Sequence, residues 1–135
     1  EGLRKDPSSF FSHRHAAYLA GLGTFGINNV LLTEKHGPRV RFASVITSAD
    51  ILAGRPLKKG LCTECMKCVR ECPANALSGD TYPGGLEKSL CVERSGELAK
   101  KGISPCGRCI AVCPVGKKVK PPSDDFIEAV RRYEI

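Results

Sequence analysis

Residues 62–73 read Cys62-Thr63-Glu64-Cys65-Met66-Lys67-Cys68-Val69-Arg70-Glu71-Cys72-Pro73, a C-x2-C-x2-C-x3-C-P run. The spacing has a chemical reason. Three thiolates separated by two residues each can wrap a short loop around one cube of iron and sulfide, and the loop's backbone N–H groups then point at the sulfurs. The fourth cysteine points away and ligates a neighbouring cluster. Pro73 ends the local turn and removes an N–H that would lack a partner.

A second run follows at Cys106, Cys109, Cys113 and Pro114, C-x2-C-x3-C-P, but its first expected ligand position holds Ile103. Cys91, fifteen residues before Cys106, is the remaining thiol, and with it the count closes at eight. The crossed ligation of two-cluster bacterial ferredoxins assigns Cys62, Cys65, Cys68 and Cys113 to one [4Fe–4S] cluster. Cys72, Cys91, Cys106 and Cys109 then hold the other. Crossing places the clusters side by side, within reach of electron tunnelling. Zinc sites prefer paired C-x2-C elements across a spacer, which this run does not resemble. Disulfide frameworks suit small exported proteins, and no export signal opens this chain.

The rest of the composition is that of a globular protein of 135 residues, with 41% hydrophobic and 26% charged residues. No stretch approaches a membrane-spanning length of apolar residues, so a cytoplasmic location without membrane contact is expected. The chain opens on Glu1 and not Met, as a fragment of a longer protein would. A formal charge of +7 invites nucleic acid as a partner, yet eight thiolates around two cores of about +2 would bring the loaded chain to roughly +3. The basic residues are scattered except at Lys117, Lys118 and Lys120, which argues against nucleic acid and offers a docking patch for an acidic electron donor.

Before the cysteines, Ser12 is placed to cap a short helix running to Ala20 and stopped at Gly21. Gly21-Leu22-Gly23-Thr24-Phe25-Gly26 is formally G-x-G-x-x-G, but a helix precedes it and Ile46 stands where a dinucleotide site needs an acid. Val30–Thr33 reads as a strand and residues 34–38 as a turn. Arg39–Thr47 alternates as a second strand, which predicts a hairpin between the two. Residues 48–61 read as a linker, Pro73–Leu77 as a short helical turn, and residues 86–101 as an inserted helix carrying Cys91. Ser123 caps a final helix with Phe126, Ile127, Val130 and Tyr133 on its apolar face. His13, His15 and His36 are candidate proton donors or ligands, although isolated histidines are more often packing or surface residues.

The split cysteine layout resembles that of epoxyqueuosine reductases and corrinoid-dependent reductive dehalogenases. A second stretch carries the same resemblance: Ala20-Gly21-Leu22-Gly23-Thr24-Phe25-Gly26-Ile27-Asn28-Asn29-Val30-Leu31-Leu32, then Gly37-Pro38-Arg39-Val40-Arg41 and Thr47. Together these cover roughly residues 12–115. The resemblance implies that the eight cysteines relay electrons from a flavodoxin or ferredoxin to a corrinoid, and that Gly21, Gly23 and Gly26 line a cofactor pocket. Among nucleic acids it implies tRNA alone. The active-site carboxylate of that superfamily has no counterpart here, since Asp6 is out of register, and no catalytic residue is assigned.

The expected fold class is α+β. Residues 1–60 form a helix and hairpin remnant of a larger reductase domain, residues 61–118 a two-cluster ferredoxin-like domain with the helix 86–101 inserted, and residues 119–135 a C-terminal helix. The expected function is the electron relay of an epoxyqueuosine-reductase-like oxidoreductase. Its rivals are a stand-alone ferredoxin-type carrier, which would not need residues 1–60, and a zinc-binding interaction module. Iron and sulfide analysis of anaerobically prepared protein should return about eight of each per chain; about four would mean that one cysteine set holds no cluster.

Overall fold

The computed structural model describes residues 11–103 and 106–116. The expected C-terminal helix and the lysines at 117, 118 and 120 lie outside them. Helix α1 (His13–Leu19) begins where the side chain of Ser12 accepts the His15 N–H at 3.3 Å. It ends at Gly21, whose φ of 76° lies in the left-handed region; the Gly21 and Leu22 amides bond back to Tyr18 and Ala17.

The glycine segment then forms a strand. β1 (Thr24–Phe25) pairs antiparallel with β2 (Leu31–Leu32), in register Thr24 with Leu32 and Phe25 with Leu31. The turn between them is built by polar groups. Asn28 Oδ1 accepts the Val30 amide at 3.2 Å, and Asn29 takes a left-handed φ of 57°, a conformation that asparagine tolerates better than most residues.

The hairpin expected between residues 30–33 and 39–47 is therefore corrected: β2 turns back on the glycine segment, and Arg39–Thr47 joins no strand. A tight turn closed by Thr33 and Gly37, which exchange backbone bonds at 2.8 and 2.9 Å, delivers Arg39 to a different neighbour. Beyond it Val45 and Ile46 are 89% and 99% exposed, so the alternating residues have no sheet to join.

Two short helices, α2 (Lys67–Arg70) and α4 (Arg108–Ala111), pack together, one inside each cysteine run. Each is entered through a left-handed residue, Met66 at φ 58° and Gly107 at φ 60°. The helical turn expected at Pro73–Leu77 is corrected too. Asn75 is left-handed at φ 49°, which breaks helical continuation, and Leu77 forms a bridge with Leu86 instead. That bridge leads into α3 (Lys88–Ala99), within the expected 86–101 and capped by Glu87, whose carboxylate accepts the Ser89 amide at 3.3 Å. No described helix is long and apolar enough to cross a membrane.

The core is small. Ile27, Leu31, Leu32, Ala76 and Leu77 are buried together with Cys68 and Cys113, where the hairpin meets the cysteine turns. Gly23 is required there, because a Cβ on it would overlap the Leu32 carbonyl oxygen. Gly23→Ala should lower the stability of the iron-loaded protein by about 1–3 kcal/mol, the usual cost of overpacking, read as a fall in thermal midpoint by circular dichroism. An unchanged midpoint would show that the hairpin yields at no cost.

Candidate iron–sulfur centres

The cysteines that the two runs scatter over 52 positions of sequence, 62 to 113, are gathered by the fold into two groups of four. Cys62, Cys65, Cys68 and Cys113 line one narrow cavity of about 20 Å³. Cys72, Cys91, Cys106 and Cys109 line a second, more open one of about 220 Å³. Asn28 lies on the wall of both, so the cavities are neighbours. All eight thiols are free, with Cys68 and Cys113 buried and Cys91 exposed on α3.

Local geometry aims backbone donors at sulfur. The Ala76 amide lies 3.4 Å from Cys72 Sγ. The Lys67 N–H bonds Cys65 and holds its thiol below the ordinary range. Burial pushes Cys68 and Cys113 up, against the opposing pull of the Val69 and Val115 amides. In the second cavity, burial and then the neighbouring thiols raise Cys91, and they raise Cys109 to about 11. Cys109 feels Cys68 as well as Cys91, Cys72 and Cys106, a further sign that the two groups adjoin.

This is a donor set that suits a cationic core. Thiolates crowded into one cavity repel one another and lose hydration, and a cationic core offsets both costs. Among the described residues, no three His, Cys, Asp or Glu side chains converge on a single-ion site. The thiols surround volumes instead, which fits a polynuclear iron–sulfide core better than a zinc ion with Zn–S bonds of about 2.3 Å.

The other candidates lie elsewhere. A Cβ on Gly21 would overlap the Arg55 carbonyl oxygen, and on Gly26 it would come within 2.9 Å of Asn28 Oδ1 and Leu32 Cδ1. With Gly23 against Leu32, all three glycines are accounted for by the chain's own close packing. His13 Nδ1 lies 2.9 Å from Ser44 Oγ, and His15 Nε2 lies 2.5 Å from the Tyr82 hydroxyl, beside Phe25 stacked on Tyr82. The His36 amide donates to Thr33 Oγ1 within the 33–37 turn. None of the three histidines lines either cysteine cavity.

Sequence reasoning missed Arg39. Its Nη1 donates to the carbonyls of Ile110 and Cys113 at 3.3 and 2.9 Å, and its Nη2 to those of Val115 and Gly116 at 2.6 and 3.4 Å. One side chain thus fixes the turn that carries Cys113. Its place in the Gly37-Pro38-Arg39 stretch was the available signal, although nothing local in the sequence points to acceptors more than seventy residues away.

Residues 61–117 match the family described as "4Fe-4S dicluster domain", and the chain is an iron–sulfur protein of the electron-transfer class. More particularly, it is related to reductive dehalogenases and epoxyqueuosine reductases. Tetrachloroethene reductive dehalogenase of Desulfitobacterium hafniense is 36% identical over 118 residues, covering 75% of this chain and 21% of that protein. The tetrachloroethene reductive dehalogenase of Sulfurospirillum multivorans is 33% identical over 113 residues, 73% of this chain and 22% of that protein. Epoxyqueuosine reductase of Lactococcus garvieae is 32% identical over 111 residues, 74% of this chain and 30% of that protein. The chain thus spans less than a third of the length of these relatives. No solved structure matches it significantly.

Helix α3 has no buried residue, although Cys91, Arg94 and Ser95 face the second cavity. Iron in that cavity would be its main anchor. Stripping iron with a chelator should therefore open α3 to trypsin after Lys88, Arg94 and Lys100, sites that stay resistant in loaded protein. Equal cleavage of both forms would show that iron does not hold the helix.

Proposed function

We propose that this chain carries two [4Fe–4S] clusters and passes single electrons between them, as the relay of an oxidoreductase similar to the reductive dehalogenases and epoxyqueuosine reductases. The observation that carries the reading is the partition of eight thiols into two adjoining cavities, four to each. When bound, each cluster supplies a one-electron redox couple.

The chain's own residues do the rest. Cys72 reaches from the first run into the second cavity and Cys113 from the second run into the first, so neither site assembles without both runs. Amides such as those of Lys67 and Ala76 stabilise sulfur-borne negative charge. Ile27 and Leu32 exclude water from the first cavity. Arg39 holds the Cys113 turn in place.

In this reading residues 1–60 are the end of a larger reductase domain and residues 61–118 the two-cluster unit. The electron acceptor is a corrinoid, and the donor is an acidic flavodoxin or ferredoxin drawn to a loaded chain that keeps a charge of roughly +3. The cytoplasm is the compartment that keeps such thiols reduced. The Cβ side of each of the three glycines is filled by the chain's own atoms.

Cys91 gives the sharpest test, since no contiguous motif contains it. Cys91→Ser should leave a [3Fe–4S] species or cost about half of the iron while sparing the other cluster. Cys62→Ser should alter the opposite EPR signal. Full iron with unaltered EPR spectra in Cys91→Ser would overturn the ligand assignment.

A further inference from the structure

Two buried side-chain polar atoms lack a hydrogen-bond partner among the described residues, and both are arginine Nε atoms, on Arg39 and Arg94. Arg39 lies behind Cys113, with its two terminal nitrogens spent on backbone carbonyls. Arg94 stands differently, because it lines the second cysteine cavity itself.

Three facts define its position. Arg94 follows Cys91 by three residues on α3, so both project from one helix face, and Ser95 completes that face at the cavity. Glu97 takes Arg94 Nη1 at 2.8 Å and fixes the guanidinium from the outside. The other arginines on this wall are already engaged: Arg14 Nη1 donates to the Asn29 carbonyl at 2.8 Å, and Arg108 pairs with Glu71. Among the described residues, Arg94 Nε is the cationic donor on this wall left without an acceptor.

A buried N–H without a partner is costly, and in native proteins such a group marks strain, a redox or catalytic role, or a bound water or ion. We propose that Arg94 donates a charged Nε–H···S hydrogen bond to the cluster held by Cys72, Cys91, Cys106 and Cys109, and thereby raises the potential at which that cluster accepts an electron. The inference rests on the two-cluster reading. Its physics is simple. Reduction adds one negative charge to the sulfur-rich core, and a fixed cation beside it stabilises the reduced form more than the oxidised one. The helix that supplies the unexpected ligand also supplies its tuning group, and Glu97 acts as a positioning residue.

The test is an EPR-monitored redox titration of the anaerobic iron-loaded chain, beside Arg94→Gln and Arg94→Lys. Arg94→Gln should keep its iron and lower the midpoint of one cluster only, the one perturbed by Cys91→Ser. At the potential that half-reduces the wild-type cluster, the reduced-to-oxidised ratio should fall about tenfold, which is about 59 mV for one electron. Arg94→Lys keeps the charge without the fork and should fall less. A second measurement needs no variant: protein grown with ¹⁵Nε-arginine should show a weak nitrogen coupling in the pulsed EPR of the reduced cluster, and this decides the matter if Arg94→Gln fails to load iron. Unmoved midpoints in a fully loaded Arg94→Gln, or no arginine coupling, would overturn the inference. Iron content separates that failure from failure of the two-cluster reading, since wild-type protein with about four iron atoms would sink the latter.

Discussion

Thiolates sharing a cavity repel one another and lose hydration, a cost that a cationic core among them would offset, and much of this structure is arranged around that constraint. Burial and mutual repulsion push Cys109 up to about 11, and Cys68, Cys91 and Cys113 move the same way. An iron–sulfide core reverses the balance by converting repelling charges into ligands. Among the described residues the buried apolar side chains are few, and they pack against the cysteine turns themselves. Where cysteine turns form so much of the packed interior, ligation supplies folding energy, as in small metalloproteins.

The residues before the cysteine runs are tied into the same construction. The Thr24 hydroxyl accepts the Leu61 amide at 2.8 Å, just where the first run begins. Asn29 Nδ2 donates to the Gly84 carbonyl at 2.6 Å, on the approach to α3, and Arg39 gathers the carbonyls around Cys113. The hairpin of β1 and β2 therefore works as a bracket for both runs. A plain carrier would need no such bracket, which favours a relay built into a larger reductase.

How much of this could be read in advance follows from the range of each interaction. The cysteine runs were legible because cluster spacing is local. Short intervals such as Cys65 to Cys68 are set by the reach of one turn. Helix α3 and the Ser12 cap were legible for the same reason. The hairpin was misread because alternation along Arg39–Thr47 records two faces and not a partner strand; the partner was the glycine segment, whose missing side chains hide its strand character. Pro73–Leu77 was misread because Asn75 turns left-handed and Leu77 pairs with Leu86, a partner nine residues further on. Arg39 and Arg94 act through carbonyl acceptors and a cavity assembled only in three dimensions, so no window of sequence contains them.

The two cavities are alike in ligand number and unlike in surroundings. The first is tight, with Cys68 and Cys113 buried and Ile27 and Leu32 on its wall. The second is wide, with Cys91 exposed and Arg14, Arg94 and Arg108 around it. Fixed positive charge favours the more negative, reduced state, whereas an apolar enclosure penalises it. In the two-cluster reading the surroundings therefore order a pair of chemically equivalent sites, with the electron resting preferentially beside α3. Asn28, on the wall of both cavities, lies where such an electron crosses. A relay needs this kind of inequality, and here it arises from what the fold places around each set of cysteines, since the four-thiol sets themselves are the same.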